Sequence, residues 1–587
     1  MTGQTTGVTR TGVGSSGPYG RVRTREWVFP LLVAVTLLTI VWMPYRVAFR
    51  KMSSSEQFMG VIGREGIDDN NVYLALMRQA AEGKVLFTNN FTPEPNRPAL
   101  FNFIYLVLGR LAGATGWSLD FVHRLFGGLS IVLLVLVVYA FIATAIRRPW
   151  YRRMALILAC FGAGFIWLAR LGYRLTGIHT KTPDSWLVEM SLFHTMLVYP
   201  HFVFAAALMV GSLLLLMQSE RAGNIALALA GGLCAAILAA SHTFEAVVLL
   251  PAAITYFSLD WMCRERIPAS RRWLCLALVL GLPLPVLLLN SLTLAREPMW
   301  GNVVARLDFY TPDPFRLAFG LGASFLIVLL TFDGFLRPHR SAGERMAKAW
   351  LLVALALAYF PSFNWRYHLL NGIQIPLAIL ATQGLRRTVF RTILRRRRRP
   401  FARWWPRVFQ GWPVVISAAG MIIVLCCLSC TNLILTYLYE AGQVVEPTYL
   451  PRAEVEALEW MSRELPREAL VLATYATGNY IPRLSGQRVV IGEDKLTEDL
   501  NGREADVEGF FRPGWSDRQR MDLLRRFGVD YVFYGPEEQK LGTYDVSRAS
   551  FLRPVHQVAG VQIYQVVGPA QRESRAASEF SPEGSLP

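Results

Sequence analysis

Apolar runs of membrane-crossing length recur along the chain, separated by short polar segments, and they set the expected architecture. Spans are expected at 27–47, 121–146, 154–171, 200–217, 225–240, 244–259, 273–289, 317–336, 349–360, 369–385 and 412–439, about eleven in all. Several are brief, above all the pair joined at Ser241-His242-Thr243.

Loop 48–120, after the first span, breaks the rhythm. In it Gly66-Ile67-Asp68-Asp69-Asn70-Asn71-Val72-Tyr73 places two adjacent carboxylates at the opening of a short amphipathic helix. Tyr73, Leu76, Met77 and Ala80 fall at i, i+3, i+4 and i+7, so one apolar stripe is expected to lie along the membrane surface and hold the acids at its edge. The extended Thr92-Pro93-Glu94-Pro95-Asn96-Arg97-Pro98 follows. Next comes an apolar piece, 100–111, too short to cross and expected at the interface.

From Glu440 the pattern changes. A helix at 451–463, strands at 469–473 and 487–491, a helix at 518–527 and a buried strand at 530–534 predict a small α/β domain over 441–567, long enough to bury its own core. Segments 1–26 and 568–587 lack recurring apolar residues and are expected to be disordered tails. The expected fold is thus an all-α polytopic membrane domain over 27–440 carrying a small C-terminal α/β domain.

Composition agrees with a polytopic chain: 53% of the 587 residues are hydrophobic, and mean hydropathy is +0.32. A net charge of +18 suggests nucleic acid at first sight, but the excess sits in short loops between apolar runs. Arg147, Arg148, Arg152 and Arg153 mark one loop; Arg264, Arg266, Arg271 and Arg272 the next; Arg337, Arg340, Arg345 and Lys348 a third; Arg395–Arg399 a fourth. One orientation puts all four in the cytoplasm, so membrane topology and anionic lipid explain the charge and no nucleic-acid partner is expected. In a cell membrane that orientation leaves the N-terminus cytoplasmic, and loop 48–120 and the C-terminal domain extracytoplasmic. The seven cysteines all lie in apolar spans or beside a basic loop, which indicates no disulfide framework.

Candidate chemistry centres on Asp68 and Asp69. Helix capping and the helix dipole would justify one acid. Two adjacent ones beside a low-dielectric slab repel, which raises a pKa and suits a general base. His242 and Glu245, at i and i+3 among apolar residues, either hydrogen-bond structurally or line a polar pocket. Arg366 stands at the outer end of a span, where positive-inside bias gives no reason for it; it either snorkels as an anchor or offers its planar fork to a phosphate. Arg97 is either a solvated loop residue or a ligand contact. His194 and His201, around Tyr199-Pro200, are expected at the interface. In the C-terminal segment, 480–488 and 527–532 show no nucleophile with a base and no phosphate loop; packing or acceptor binding is expected of them.

These motifs resemble the GT-C superfamily of integral-membrane glycosyltransferases, which includes protein O-mannosyltransferases, aminoarabinose transferases and oligosaccharyltransferases. The resemblance rests on the acidic pair with its Tyr73-Leu74-Ala75 helix, Gly83, the Pro-rich stretch and the apolar helix after it. His242-Thr243-Phe244-Glu245, Phe363-Asn364-Trp365-Arg366-Tyr367 before Ile375-Pro376-Leu377-Ala378, and the C-terminal domain extend it. It implies a polyprenyl-phosphate-linked sugar as donor, an acceptor of unknown class (lipid, glycan or protein), and Asp68 or Asp69 as the base, with the spacing to Tyr73 favouring Asp69. Arg366, His368, His242, Glu245, Tyr73 and Arg97 are the implied donor-binding residues. It leaves open whether Asp68 and Asp69 hold a divalent cation, since no His or Cys stands beside them. A transporter or lipid flippase, which calls for inverted repeats and broken helices, and a non-catalytic scaffold are the alternatives.

Overall fold

The computed structural model describes residues 20–178, 180, 182–261, 269–306, 310–336, 341–360, 365–391 and 412–567. The Arg395–Arg399 run, Arg264, Arg266, Arg337, Arg340, Phe363, Asn364, residues 1–19 and residues 568–587 lie outside the described residues, while 24–26, expected in a disordered tail, begin the first helix.

The molecule is mainly helical, with a small sheet near its C-terminal end. Among the described residues five helices are long and apolar enough to cross a membrane: Thr24–Lys51, Leu119–Ala145, Pro200–Ala222, Arg272–Arg296 and Pro413–Gly442. Ile225–Ser241, Thr243–Leu259 and Pro314–Leu330 are apolar but shorter. Several expected spans are interrupted. Run 154–171 is divided into Pro149–Phe161 and Ile166–Thr176, bent by 54°. Run 369–385 becomes a 3-10 turn, Arg366–Leu370, followed by the helix Gln374–Gly384. Hydropathy cannot register the first break, because its cost is met by distant groups. The Gly162 carbonyl accepts a hydrogen bond from Ser191 Oγ (3.1 Å), and the Gly164 carbonyl accepts one from Ser429 Oγ (2.6 Å). Unwound backbone is tolerated in an apolar surrounding only when its polar groups are satisfied in this way.

The first loop departs from the expected surface helix. The helix is Arg64–Ala81, so Asp68 and Asp69 lie within it rather than at its cap. Its apolar stripe runs back to Ile67, and Ile67, Leu74, Ala75, Met77 and Ala80 are all nearly or fully buried. The helix is enclosed rather than laid on a surface. On one side packs the Phe103–Thr115 helix, the apolar piece expected at the interface, whose Gly109 permits the approach: a Cβ there would stand 2.2 Å from the Met77 carbonyl oxygen. On the other side lies the C-terminal region, from which Arg483 donates to Asn71 Oδ1 (2.7 Å), the Met59 carbonyl (2.5 Å) and Asp120 Oδ1 (2.6 Å). Segment 480–488 thus packs against the first loop, through this buried guanidinium and through Arg488, which donates to the Thr92 and Glu94 carbonyls.

Strand pairing joins the same two regions. β1 (Glu56–Phe58) in the first loop runs antiparallel to β2 (Tyr449–Pro451), just after the last long helix, with Gln57 opposite Leu450. Beyond it, β3 (Leu470–Leu472), β4 (Arg488–Val489), β5 (Tyr531–Tyr534), β6 (Leu552–Val558) and β7 (Val561–Val566) form one sheet in the order β4-β3-β5-β7-β6. β3 is parallel to β4 and β5, while β7 is antiparallel to β5 and β6. The helices Arg452–Glu464 and Asp517–Phe527 match their expected positions closely. The hairpin turns at Ala559 and Gly560, both at positive φ (40° and 88°), as a tight two-residue hairpin requires.

At the start of the Ala342–Ala358 helix, away from the end that leads to His368, charges are buried rather than spread over a loop. Glu344 pairs with Arg387 in bidentate fashion at 2.8 Å, and Arg345 donates to the Tyr256 hydroxyl at 2.6 Å. Arg345, expected in a basic loop, is only 1% exposed.

Candidate active site

Where the first loop, the ends of several membrane helices and the C-terminal region meet, there is a cavity of about 570 Å³. This lies within the usual range for a small-ligand site. The Arg64–Ala81 helix contributes Asp68, Asp69 and Tyr73, which one helical turn brings to a common wall. The start of the Pro200–Ala222 helix contributes His201, with Tyr199 just before it. The sharp junction between Ile225–Ser241 and Thr243–Trp261 presents His242, Thr243 and Phe244. The Arg366–Leu370 turn adds Tyr367 and His368, and Glu189 comes from a short 3-10 turn. The C-terminal region closes the cavity with Tyr475 and Glu493–Leu496.

The two aspartates are held differently. Tyr199 donates its hydroxyl proton to Asp69 Oδ2 at 2.5 Å, and Tyr475 donates to Asp68 Oδ2 at 2.9 Å. Burial pushes the Asp69 carboxyl above the usual carboxylate range, against the pull of the Tyr199 hydrogen bond and of His368. Burial likewise raises Asp68, and the Tyr475 hydrogen bond opposes it. Glu493, also in the wall, is pushed up to about 8 by burial, with Asp69 adding to the effect. A second cavity, of about 660 Å³, lies on the far side of Asp68 and Tyr475, which line both.

Aromatic and imidazole rings make the rest of the wall. Tyr73 stacks on Tyr105 at 5.1 Å between centroids and meets His201 edge-on at 4.4 Å. Phe244 stacks on His368 at 4.7 Å. His368 Nδ1 bonds Glu189 Oε1 at 2.5 Å. His242 Nδ1 bonds Glu245 Oε2, and Glu245 Oε1 accepts from Asn371 Nδ2 at 2.5 Å, so the His–Glu pair is present as a structural bond. Such a wall offers flat apolar faces with hydroxyl and imidazole groups at their edges.

The sequence-derived residues thus divide. Asp68, Asp69, Tyr73, His242 and His368 line one cavity, whereas Glu245 stands behind His242. Arg366 is not among the residues lining it; its guanidinium lies over the ring of Tyr310, 5.1 Å from the centroid, one residue from the lining Tyr367. Arg97 is also outside the lining, and its backbone N–H bonds Glu297 Oε1 at 3.3 Å. His201, expected at the interface, is in the wall. Tyr199, Glu189, Tyr475 and Glu493 escaped sequence reasoning; the one signal was the charged Glu493-Asp494-Lys495, set in a stretch without helix or strand periodicity. Asp68 and Asp69 accept from different tyrosines. Among the described residues no group of three or more His, Cys, Asp or Glu side chains is gathered as metal ligands.

Fold and cavity together define a polytopic membrane protein whose first loop and C-terminal region enclose an acidic, aromatic-walled pocket at one end of the helices. Neither a family model nor a curated protein sequence matches the chain. Solved structures do. The crystal structure of the Archaeoglobus fulgidus oligosaccharyltransferase tethered with an acceptor peptide containing the NVT sequon matches with a TM-score of 0.54 at 13% identity, covering 87% of this chain and 69% of that one. The Archaeoglobus fulgidus oligosaccharyltransferase AglB in complex with an inhibitory peptide and a dolichol-phosphate matches with a TM-score of 0.53 at 13% identity, over 87% and 70% of the two chains. The crystal structure of its complex with Zn and sulfate gives 0.53 at 12% identity, over 91% and 73%. The chain shares the fold of these oligosaccharyltransferase structures.

Proposed function

We propose that the protein transfers a sugar from a polyprenyl-phosphate carrier to an acceptor, with inversion at the sugar carbon, on the extracytoplasmic side of a cell membrane. The observation that carries this is the placing of Asp68 and Asp69 in the wall of a sugar-sized cavity, in a chain with the fold of those oligosaccharyltransferase structures. Asp69, whose carboxyl is raised by burial, takes the proton from the acceptor nucleophile. The new bond joins the acceptor to the sugar's anomeric carbon as the bond from that carbon to the phosphate oxygen breaks, and the polyprenyl phosphate leaves with the electron pair. The sugar lies against Tyr73, Tyr105 and His201. Asp68 faces both cavities, so the acceptor enters through the second one and meets the sugar at Asp68 and Tyr475. The charge pattern of the loops supports the extracytoplasmic side.

The test is sugar transfer by purified full-length protein offered a panel of polyprenyl-phosphate sugars. Asp69→Asn is expected to abolish transfer while membrane abundance is unchanged, with Asp68→Asn as its partner. Full activity in both variants overturns the assignment of the base.

A further inference from the structure

The charges around the cavity are unbalanced. Its wall carries the carboxyl groups of Asp68, Asp69, Glu189 and Asp494, besides that of Glu493, which burial holds largely neutral at pH 7. Among the described lining residues a single one, Lys495, bears an ammonium or guanidinium group. A leaving phosphate that gains negative charge cannot sit stably among carboxylates unless a cation meets it, because fields are strong where water is excluded. Lys495 reaches the cavity on a loop built to stay there. Glu493 Oε2 accepts from the backbone N–H groups of Lys495 (3.0 Å) and Leu496 (2.9 Å). Thr497 Oγ1 donates to the Phe91 carbonyl at 3.0 Å, and Asn89 Nδ2 donates to the Leu496 carbonyl at 2.8 Å, so the first loop anchors it. The backbone is fixed while the lysine side chain, 34% exposed, keeps reach; its Nζ now pairs with Asp494 Oδ1 at 2.8 Å.

We propose that Lys495 receives the donor's phosphate, exchanging its Asp494 partner for a phosphate oxygen, so that the C-terminal region supplies part of the donor site. The exchange draws on the flexible side chain of a lysine, whose ammonium binds phosphate as a point charge. The proposal rests on the transferase reading above. It moves the phosphate contact from Arg366, which stands over Tyr310, to a residue in the wall itself.

Lys495→Met, Lys495→Arg and Arg366→Gln are compared in full-length protein. Transfer kinetics are read at varied donor concentration, and farnesyl phosphate, a short polyprenyl phosphate without sugar, is titrated by calorimetry. Lys495→Met is expected to raise the donor KM and weaken farnesyl phosphate binding by about 10- to 100-fold, the range for losing one hydrogen bond to a charged group. Lys495→Arg is expected to restore most of both. Unchanged donor KM and farnesyl phosphate affinity in Lys495→Met, with both lost in Arg366→Gln, overturns the proposal and returns the phosphate to Arg366. If the wild type transfers no sugar from any donor, the transferase reading falls, while the farnesyl phosphate titration still decides the role of Lys495.

Discussion

Asp69 and Glu493 share one wall but are expected to titrate with opposite consequences. As the proposed base Asp69 must be deprotonated, so activity is expected to fall as pH drops through its raised pKa. The Tyr199 hydroxyl stabilises the charged form through its hydrogen bond. Tyr199→Phe therefore raises the Asp69 pKa further, and the acid limb of the kcat/KM profile should move to higher pH. Glu493, pushed up to about 8, is neutral at pH 7. Above that it adds a negative charge to a wall facing Asp68, Asp69, Glu189, Asp494 and Lys495, and donor affinity should decline. Glu493→Gln should remove this alkaline limb from the kcat/KM profile and leave the acid limb in place. At this scale the sequence marked Asp68 and Asp69 as an adjacent acidic pair and His242 by its spacing to Glu245 among apolar residues, whereas Tyr73 and His368 were implied only by the family resemblance. Tyr199 and Tyr475 did not stand out, since one tyrosine beside a membrane helix or within a small domain looks like any other until its hydroxyl is seen on a carboxylate.

At the scale of elements, the site depends on how tightly the first-loop helix is enclosed. The Phe103–Thr115 helix reaches it through Gly109, where any side chain meets the Met77 carbonyl at once. Gly109→Leu is expected to push the two helices apart and destabilise the protein by about 1–3 kcal/mol. Thermal unfolding in detergent, followed by tryptophan fluorescence, checks this. The sequence placed these helices within a few residues but misjudged their surroundings. An amphipathic stripe is the same whether it faces lipid or the body of another domain. Here it faces the body of the protein, and burial at Leu74, Met77 and Ala80 is complete.

For the whole molecule, the C-terminal region and the first loop form one unit around the site, zipped by β1 and β2 and clamped by Arg483. Arg483 is 2% exposed, and Arg483→Ala would strand Asn71, the Met59 carbonyl and Asp120 without their donor. The expected cost is roughly 3 kcal/mol, toward the lower end for a broken buried pair because Asp120 keeps some solvent. The loss should appear as a lower unfolding temperature and as transfer activity that decays faster on warming, with donor KM unchanged at low temperature.

Hydropathy, charge asymmetry and local periodicity are properties of neighbouring residues, and they sufficed to determine a polytopic helical chain, its C-terminal α/β segment and the acidic first loop. The sites of broken spans, the second cavity beyond Asp68, and the arrival of Tyr475, Glu493 and Lys495 at the aspartates were decided by tertiary structure alone. The contacts at the aspartates join residues some four hundred positions apart, as in the Tyr475–Asp68 hydrogen bond, and the broken span is met in part by Ser429, 265 positions from Gly164. No window along the chain contains both partners, and the free energy that unites them comes from burial and hydrogen bonds formed only when the whole chain has folded.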